Sequence, residues 1–264
     1  MNGRIINKEN KISNIPIVGR IKIGEKRLSE KTGKEYPVSL DYFKCDSKYC
    51  SEFYKVYEEK PSKIQIVFIS DDISFVCPER YELRNSKGDL FGKGDGENYA
   101  VWNAKEKIYQ KFKLSEHTDL LERSSKAAAS PKGWERVLTL RFLIPKVKGI
   151  VGLWQFSTKA DKGSIDSLRD TFDFVMHQAG TVTRILFDLT VEKVKSNKPD
   201  DVSTYPIIRL IPNVSDENLL LLKGYSESIL QSIPYLNDES IKQIQAPEVK
   251  QIEQGDKGLF DYET

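Results

Sequence analysis

The stretch Ile64-Gln-Ile-Val-Phe-Ile69 is apolar at every position but one. A run with no alternating polar face is the pattern of a central strand, covered on both sides. On either side of it the apolar spacing switches between two residues and a helical period. Upstream, Ile15-Pro-Ile-Val-Gly-Arg-Ile-Lys-Ile-Gly24 alternates isoleucine with basic residues, as a half-buried strand does. A turn at 30–33 leads to a second extended stretch at 36–43. Tyr49, Phe53, Val56 and Tyr57 then fall at helical spacing and predict a helix over 47–59, stopped by Pro61.

Downstream, strand-like segments at 80–84 and 89–93 flank Asn85-Ser-Lys-Gly88, a hairpin turn closed by glycine. Segments at 99–102 and 108–112 flank a second such turn, and 116–125 reads as a short helix. Ala127-Ala-Ala-Ser-Pro-Lys-Gly133 is a flexible connector and the expected internal seam. After it come a long strand at 135–144 and a return at 147–157. A helix follows, capped by Ser164, carried on Ile165, Leu168, Phe172, Val175 and Met176, and ended by Gly180. A strand pair at 184–194 and 205–211 precedes a last helix at 216–230. The expected fold class is α+β: two antiparallel-sheet lobes with a few packing helices, one continuous sheet being the alternative. The expected divisions are a flexible arm at 1–14, an N-terminal α+β lobe at 15–126, a C-terminal α+β lobe at 134–233 and an acidic, disordered tail at 234–264.

A chain of 264 residues suits one large domain or two small ones and can bury roughly 70–75% of its unfolded surface. No apolar run approaches the ~18 residues of a membrane span, and the polar, basic N-terminus has no signal-peptide core. A soluble, cytoplasmic protein is therefore expected. The net charge of +2 is uneven. From 237 to 264 seven acids oppose three lysines, which leaves −4 there and about +6 on the rest of the chain. Such a body permits contact with DNA or an acidic partner without requiring it.

The residues offer little to a catalyst. Gly92-Lys-Gly-Asp-Gly-Glu97 is glycine-rich, but it lacks the order of a phosphate-binding loop and opens no predicted helix, so it reads as a tight turn or bulge. Cys45, Cys50 and Cys77 are too few for a disulfide framework. A zinc site built on the first two would need a histidine, and His117 and His177 each stand apart from other ligand-like residues. The carboxylates Asp71 with Asp72, Asp95 with Glu97 and Asp170 with Asp173 are pairs that charge-rich loops produce by chance. No metal, no cofactor and no enzymatic activity are expected. Trp154 and Phe156 share one strand face beside Lys159, and such a face can stack on single-stranded bases, although core packing is the favoured reading.

Several short motifs, in order, resemble a known family. They run from Pro16-Ile-Val-Gly-Arg-Ile-Lys-Ile-Gly24 and Gly33-Lys-Glu-Tyr-Pro-Val-Ser-Leu-Asp-Tyr-Phe43, through Lys63-Ile-Gln-Ile-Val-Phe68, Glu79-Arg-Tyr-Glu82 and Gly94-Asp-Gly-Glu97. They continue with Gly152-Leu-Trp-Gln-Phe-Ser-Thr-Lys159 and Ile185-Leu-Phe-Asp-Leu189 to Lys198-Pro199. Over about 15–214 the chain is similar to the recombination directionality factor-like proteins of temperate phages and integrative elements. The resemblance implies a partner, a large serine integrase bound to attachment-site DNA, which the factor switches from integration to excision. Direct DNA contact is allowed by this role and not required. Cys45 and Cys50 lie where the family carries no cysteine, which argues against a family metal site. The competing readings are a phage single-stranded DNA-binding or annealing protein and a metal-dependent hydrolase.

One segment singles itself out as a partner-binding candidate. Leu219, Leu220, Leu221 and Leu222 are consecutive on a predicted helix, and at ~100° per residue they cover about 300° of its circumference. A core-facing stripe needs about a third of that, as Leu219, Leu222 and Ile229 would provide. Leu220 and Leu221 must then be covered by a second layer of this chain, a dimer mate or a partner. Burial within the chain is the favoured reading, and anchoring the recombinase through its coiled-coil arm is the alternative.

Overall fold

The computed structural model describes residues 15–196, 203–225, 229–230 and 232–245. The expected arm at 1–14 and the expected tail beyond 245 lie outside the described residues. In chain order the first half contains β1 (Ile17–Leu28), β2 (Glu35–Asp46), α1 (Cys50–Val56), β3 (Lys63–Val67), α2 (Ile73–Val76), β4 (Glu79–Arg84), β5 (Leu90–Gly94), β6 (Asn98–Asn103), β7 (Ile108–Lys113) and α3 (Leu120–Ala127). Then follow β8 (Trp134–Phe142), β9 (Leu153–Thr158), a π-helical turn (Asp161–Ile165), α4 (Asp166–Ala179), β10 (Leu186–Lys195), β11 (Thr204–Pro212), α5 (Asp216–Leu222) and α6 (Asp238–Gln245). The fold is α+β, as the alternation of periods predicts.

Eight strands form one sheet in the order β2-β1-β9-β8-β4-β5-β6-β7, and three form a second in the order β11-β10-β3. The ladders of the eight-stranded sheet are antiparallel except for the parallel pairing of β1 with β9. Each sheet draws strands from both sides of 127–133. That segment, expected as a seam between lobes, leads from α3 into β8 in the middle of the large sheet. Periodicity identifies a strand without naming its partner, and these pairings close over long sequence separations.

The expectation of a central strand at 64–69 is corrected in the same way. β3 pairs in a ladder with β10 alone and lies at the edge of the small sheet. Ile64, Ile66, Val67 and Phe68 are nevertheless buried. An apolar run reports cover on two faces, and it says nothing about the two edges. The outer edge is protected piecemeal. Tyr57 Oη accepts the Gln65 N–H at 3.1 Å, and Val67 exchanges backbone hydrogen bonds with Leu143 at 2.9 and 3.0 Å.

The inward residues of β1, β2, β8 and β9, among them Ile21, Phe43, Leu140, Phe142, Trp154 and Phe156, share one core with β3, β10 and the apolar stripe of α4. Phe68 packs edge-on to Phe172 and Phe187 with ring centroids 5.4 and 5.3 Å apart. The helix at 166–179 ends as predicted on Gly180, at φ +75°. Ser164 does not cap it. The chain enters α4 through the π turn, and the buried Ser164 hydroxyl accepts the Ile208 N–H of β11 at 3.0 Å. The wing β4–β7 builds a smaller core around Trp134, whose indole N–H donates to Ser124 Oγ of α3 at 3.0 Å. Gly92 and Gly94 of the glycine-rich segment serve this core. A Cβ at Gly92 would sit 2.5 Å from the Trp134 ring, and one at Gly94 2.3 Å from Tyr99.

The tail read as disordered from 234 is docked as far as 245. Leu236 and Ile241 are buried, and Leu236 exchanges backbone hydrogen bonds with Arg184 and Leu186. Two buried apolar residues five positions apart in a polar stretch leave too little periodicity to be read from sequence.

Candidate partner-binding helix

α5 begins at Asp216 after Ser215, whose backbone is extended and whose own side chain makes no cap. The cap comes from the tail. Asp238 Oδ1 accepts the Ser215 N–H and the Asn218 side-chain amide, both at 2.8 Å. These hydrogen bonds hold the Asp238 carboxyl below its ordinary pKa. Asp216 and Glu217 in the first turn suit the positive end of the helix. At the other end the Lys223 ammonium donates to the His177 carbonyl near the C-terminus of α4. The helix is thus fastened at both ends to elements that are themselves in the core.

Its four leucines divide in two. Leu219 is 0% exposed and Leu222 2%, and both belong to the core shared with α4. Leu220 is 57% exposed and Leu221 42%. No described part of the chain covers this pair, so burial within the chain, the favoured sequence reading, is not what the described residues do. The helix is also shorter than predicted, ending at Leu222, and Ile229 is exposed instead of completing the inward stripe.

A groove of about 770 Å³ runs up to the start of α5, floored by Phe174 of α4 with Ile211 and Pro212 of β11, and bordered by Asp170 and Asp216. Phe174 and Ile211 are exposed. Asp216, where the groove ends, and Leu220 are four positions apart on α5 and share a helix face. The arrangement is a shallow apolar track with acidic margins. It has the chemistry to take a helix that carries an apolar stripe flanked by basic residues.

The other residues raised by the sequence are accounted for by local structure. Trp154 and Phe156 are buried in the core, so that strand face offers no stacking platform. Asp71 is occupied by the hydroxyls of Thr181 and Thr183 and by the Val182 and Thr183 N–H groups, all within 3.0 Å. Asp95 accepts the Glu97 and Asn98 N–H groups in the β5–β6 turn, at 2.9 and 2.7 Å. The three cysteines are free. Burial pushes the Cys77 thiol up to about 12, and burial with a Cys50 hydrogen bond raises that of Cys45. Cys50 Sγ donates to the Ser47 carbonyl at 2.9 Å. Among the described residues no three His, Cys, Asp or Glu side chains are placed to hold a metal ion, and no helix is long and apolar enough to cross a membrane.

The class defined here is an α+β protein with an outward-facing leucine pair on a helix whose other leucines are in the core. A family described as recombination directionality factor-like, also termed Gp3-like, matches residues 18–213. The chain belongs to that family. Membership points to a role in recombination and to a recombinase as partner. No curated protein and no solved structure matches the chain.

Proposed function

We propose that this protein is a recombination directionality factor that binds a large serine integrase on attachment-site DNA and redirects it from integration to excision. The observation that carries the reading is the leucine pair on α5, presented outward by a helix fastened at both ends, in a chain of this family. A factor of this kind makes and breaks no covalent bond. It acts by binding one arrangement of the recombinase more tightly than another, so that synapsis of the hybrid sites is favoured. Moving such a preference from 1:99 to 99:1 takes ~5.5 kcal/mol of differential affinity, which an interface of about 1,600 Å² can supply. Leu220 and Leu221 are the anchors, and the coiled-coil arm of the recombinase is the element they receive. The burial of Trp154 and Phe156 removes the aromatic support for an annealing protein.

Sedimentation of the purified chain with the large serine recombinase of the same mobile element tests this reading. A complex is expected with the native chain and not with Leu220→Ser/Leu221→Ser. Absence of a complex with the native chain, both with and without attachment-site DNA, overturns it.

A further inference from the structure

The core uses one face of the eight-stranded sheet. On its opposite face the strand register lines up two rungs of side chains, since residues paired across a ladder share a face. One rung is Asp46–Arg20–Gln155–Arg141, across β2, β1, β9 and β8. The other is Glu135–Glu82–Lys93–Ala100–Lys111, across β8, β4, β5, β6 and β7. Arg80 and Arg84 flank Glu82 on the same strand.

The acids of this face are already matched. Asp46 is paired with Lys22, and Glu135 with Lys159 at 2.5 Å. The buried Glu82 takes both Arg80 and Arg84, at 2.6 and 2.8 Å, so one carboxylate answers two guanidinium groups. Lys93 and Lys111 have no acidic partner among the described residues, and Arg20, opposite Asp46 in the ladder, shares that one carboxylate with Lys22. Arg141 donates to the Phe75 carbonyl at 2.7 Å and lies over the Phe75 ring, with no acid beside it. Burial and then the charge of Arg80 lower its pKa, as expected of cations gathered without an anion. Around Arg80, Lys93 and Lys111 the surface opens into a hollow of about 680 Å³. Asp95 and Glu116 also reach this hollow, but the first is held by backbone N–H groups and the second pairs with Lys113 at 3.8 Å.

Five cations of the face have no carboxylate to themselves: one of Arg20 and Lys22, which share Asp46, then Arg141, Lys93, Lys111 and one of the Glu82 pair, while Asp95 is the one described acid at the hollow not paired with a cation. From β1 to β7 there are six strand steps in the sheet order, or ~29 Å at ~4.8 Å per step. We propose that this face binds double-stranded DNA through its phosphates, without reading sequence. The charges are spread singly at intervals of one or two strands, which suits a repeating polyanion better than a compact acidic patch on a protein. A span of ~29 Å corresponds to about eight to nine base pairs. Stacking on single strands is disfavoured, because Tyr109, the exposed aromatic of the face, is engaged. Its hydroxyl donates to the Leu90 carbonyl at 2.9 Å, and Trp102 and Lys93 sit 5.2 and 6.0 Å from its ring.

This proposal does not rest on the recombinase reading, and its test uses the full chain and naked DNA alone. Fluorescence anisotropy with a random-sequence duplex is followed from 50 to 200 mM salt. Five phosphate contacts give a slope of log affinity against log salt of about −4 to −5. Lys93→Gln/Lys111→Gln makes the slope shallower by about 2, whereas Lys31→Gln/Lys34→Gln, with the same charge loss in the β1–β2 turn, leaves it unchanged. No duplex binding at 50 mM salt, an unchanged slope in the first variant, or an equal change in the second overturns the proposal. So does tighter binding of a single strand, or displacement by polyglutamate at lower charge concentration than by duplex, which would indicate an acidic protein partner.

Discussion

Four consecutive leucines on one short helix allow a sharp comparison, because their side chains differ in environment and in nothing else. Leu219 is fully buried and Leu222 nearly so. Replacing either by Ala removes a side chain from a packed core and leaves a cavity, at about 2–5 kcal/mol. For a chain of this size each kcal/mol moves the melting temperature by ~2–4 °C, so a fall of roughly 4 to 20 °C is expected for each variant. Leu220 and Leu221 stand 57% and 42% exposed, and their replacement by Ser is expected to stay within about 0.5 kcal/mol, or ~2 °C. Thermal denaturation followed by circular dichroism measures all four. If Leu220→Ser or Leu221→Ser melts as low as Leu219→Ala, the pair is covered within the chain or by a second copy, and its role as a free anchor is refuted.

Two further outcomes follow from the docking of the tail and from Glu82. A chain ending at Leu236 loses the buried Ile241 and the Asp238 cap of α5, and is expected to melt roughly 5 to 12 °C below one ending at Gln245; equal melting temperatures would show that α6 contributes nothing. Burial alone would raise the Glu82 pKa, but the hydrogen bonds and charges of Arg80 and Arg84 outweigh it and hold the carboxyl below its ordinary value of 4.5. A depressed carboxyl contributes stability that is complete above that ordinary value and is lost as pH falls through the lowered one. The urea midpoint should therefore drop below pH 4.5 more steeply in the native chain than in Glu82→Gln, and parallel acid limbs would contradict this.

What could be read from the residues was whatever depends on local spacing. The hairpins β4–β5 and β6–β7, the β8–β9 return and the β10–β11 pair follow from period-two runs broken by turn residues. Gly180 marked the end of α4 because a positive φ suits glycine. What depends on distant partners was not legible. Ile64-Gln-Ile-Val-Phe-Ile69 announced burial, yet nothing in it says that β3 lies at an edge guarded by Tyr57 and Leu143. Ser164 looked like a cap, and its hydroxyl instead serves a strand 44 residues away. For the candidate site, the leucine run flagged Leu220 and Leu221, while the choice between cover and exposure needed the three-dimensional arrangement of α4, α5 and α6. The basic sheet face was missed for the same reason. Arg20, Lys93, Lys111 and Arg141 are scattered in sequence, and the strand register alone brings them onto one surface.

The central claim is that the chain redirects a serine recombinase by binding it through α5. Reconstituted recombination measures this most directly, with purified recombinase, plasmids bearing either the hybrid excision sites or the two integration sites, and the chain added in its native form or as Leu220→Ser/Leu221→Ser. The native chain is expected to raise excision and depress integration, and the variant, melting as the native chain does, to leave both reactions as the recombinase alone performs them. Recombination indifferent to the native chain, or a variant as effective as the native chain, would contradict the account.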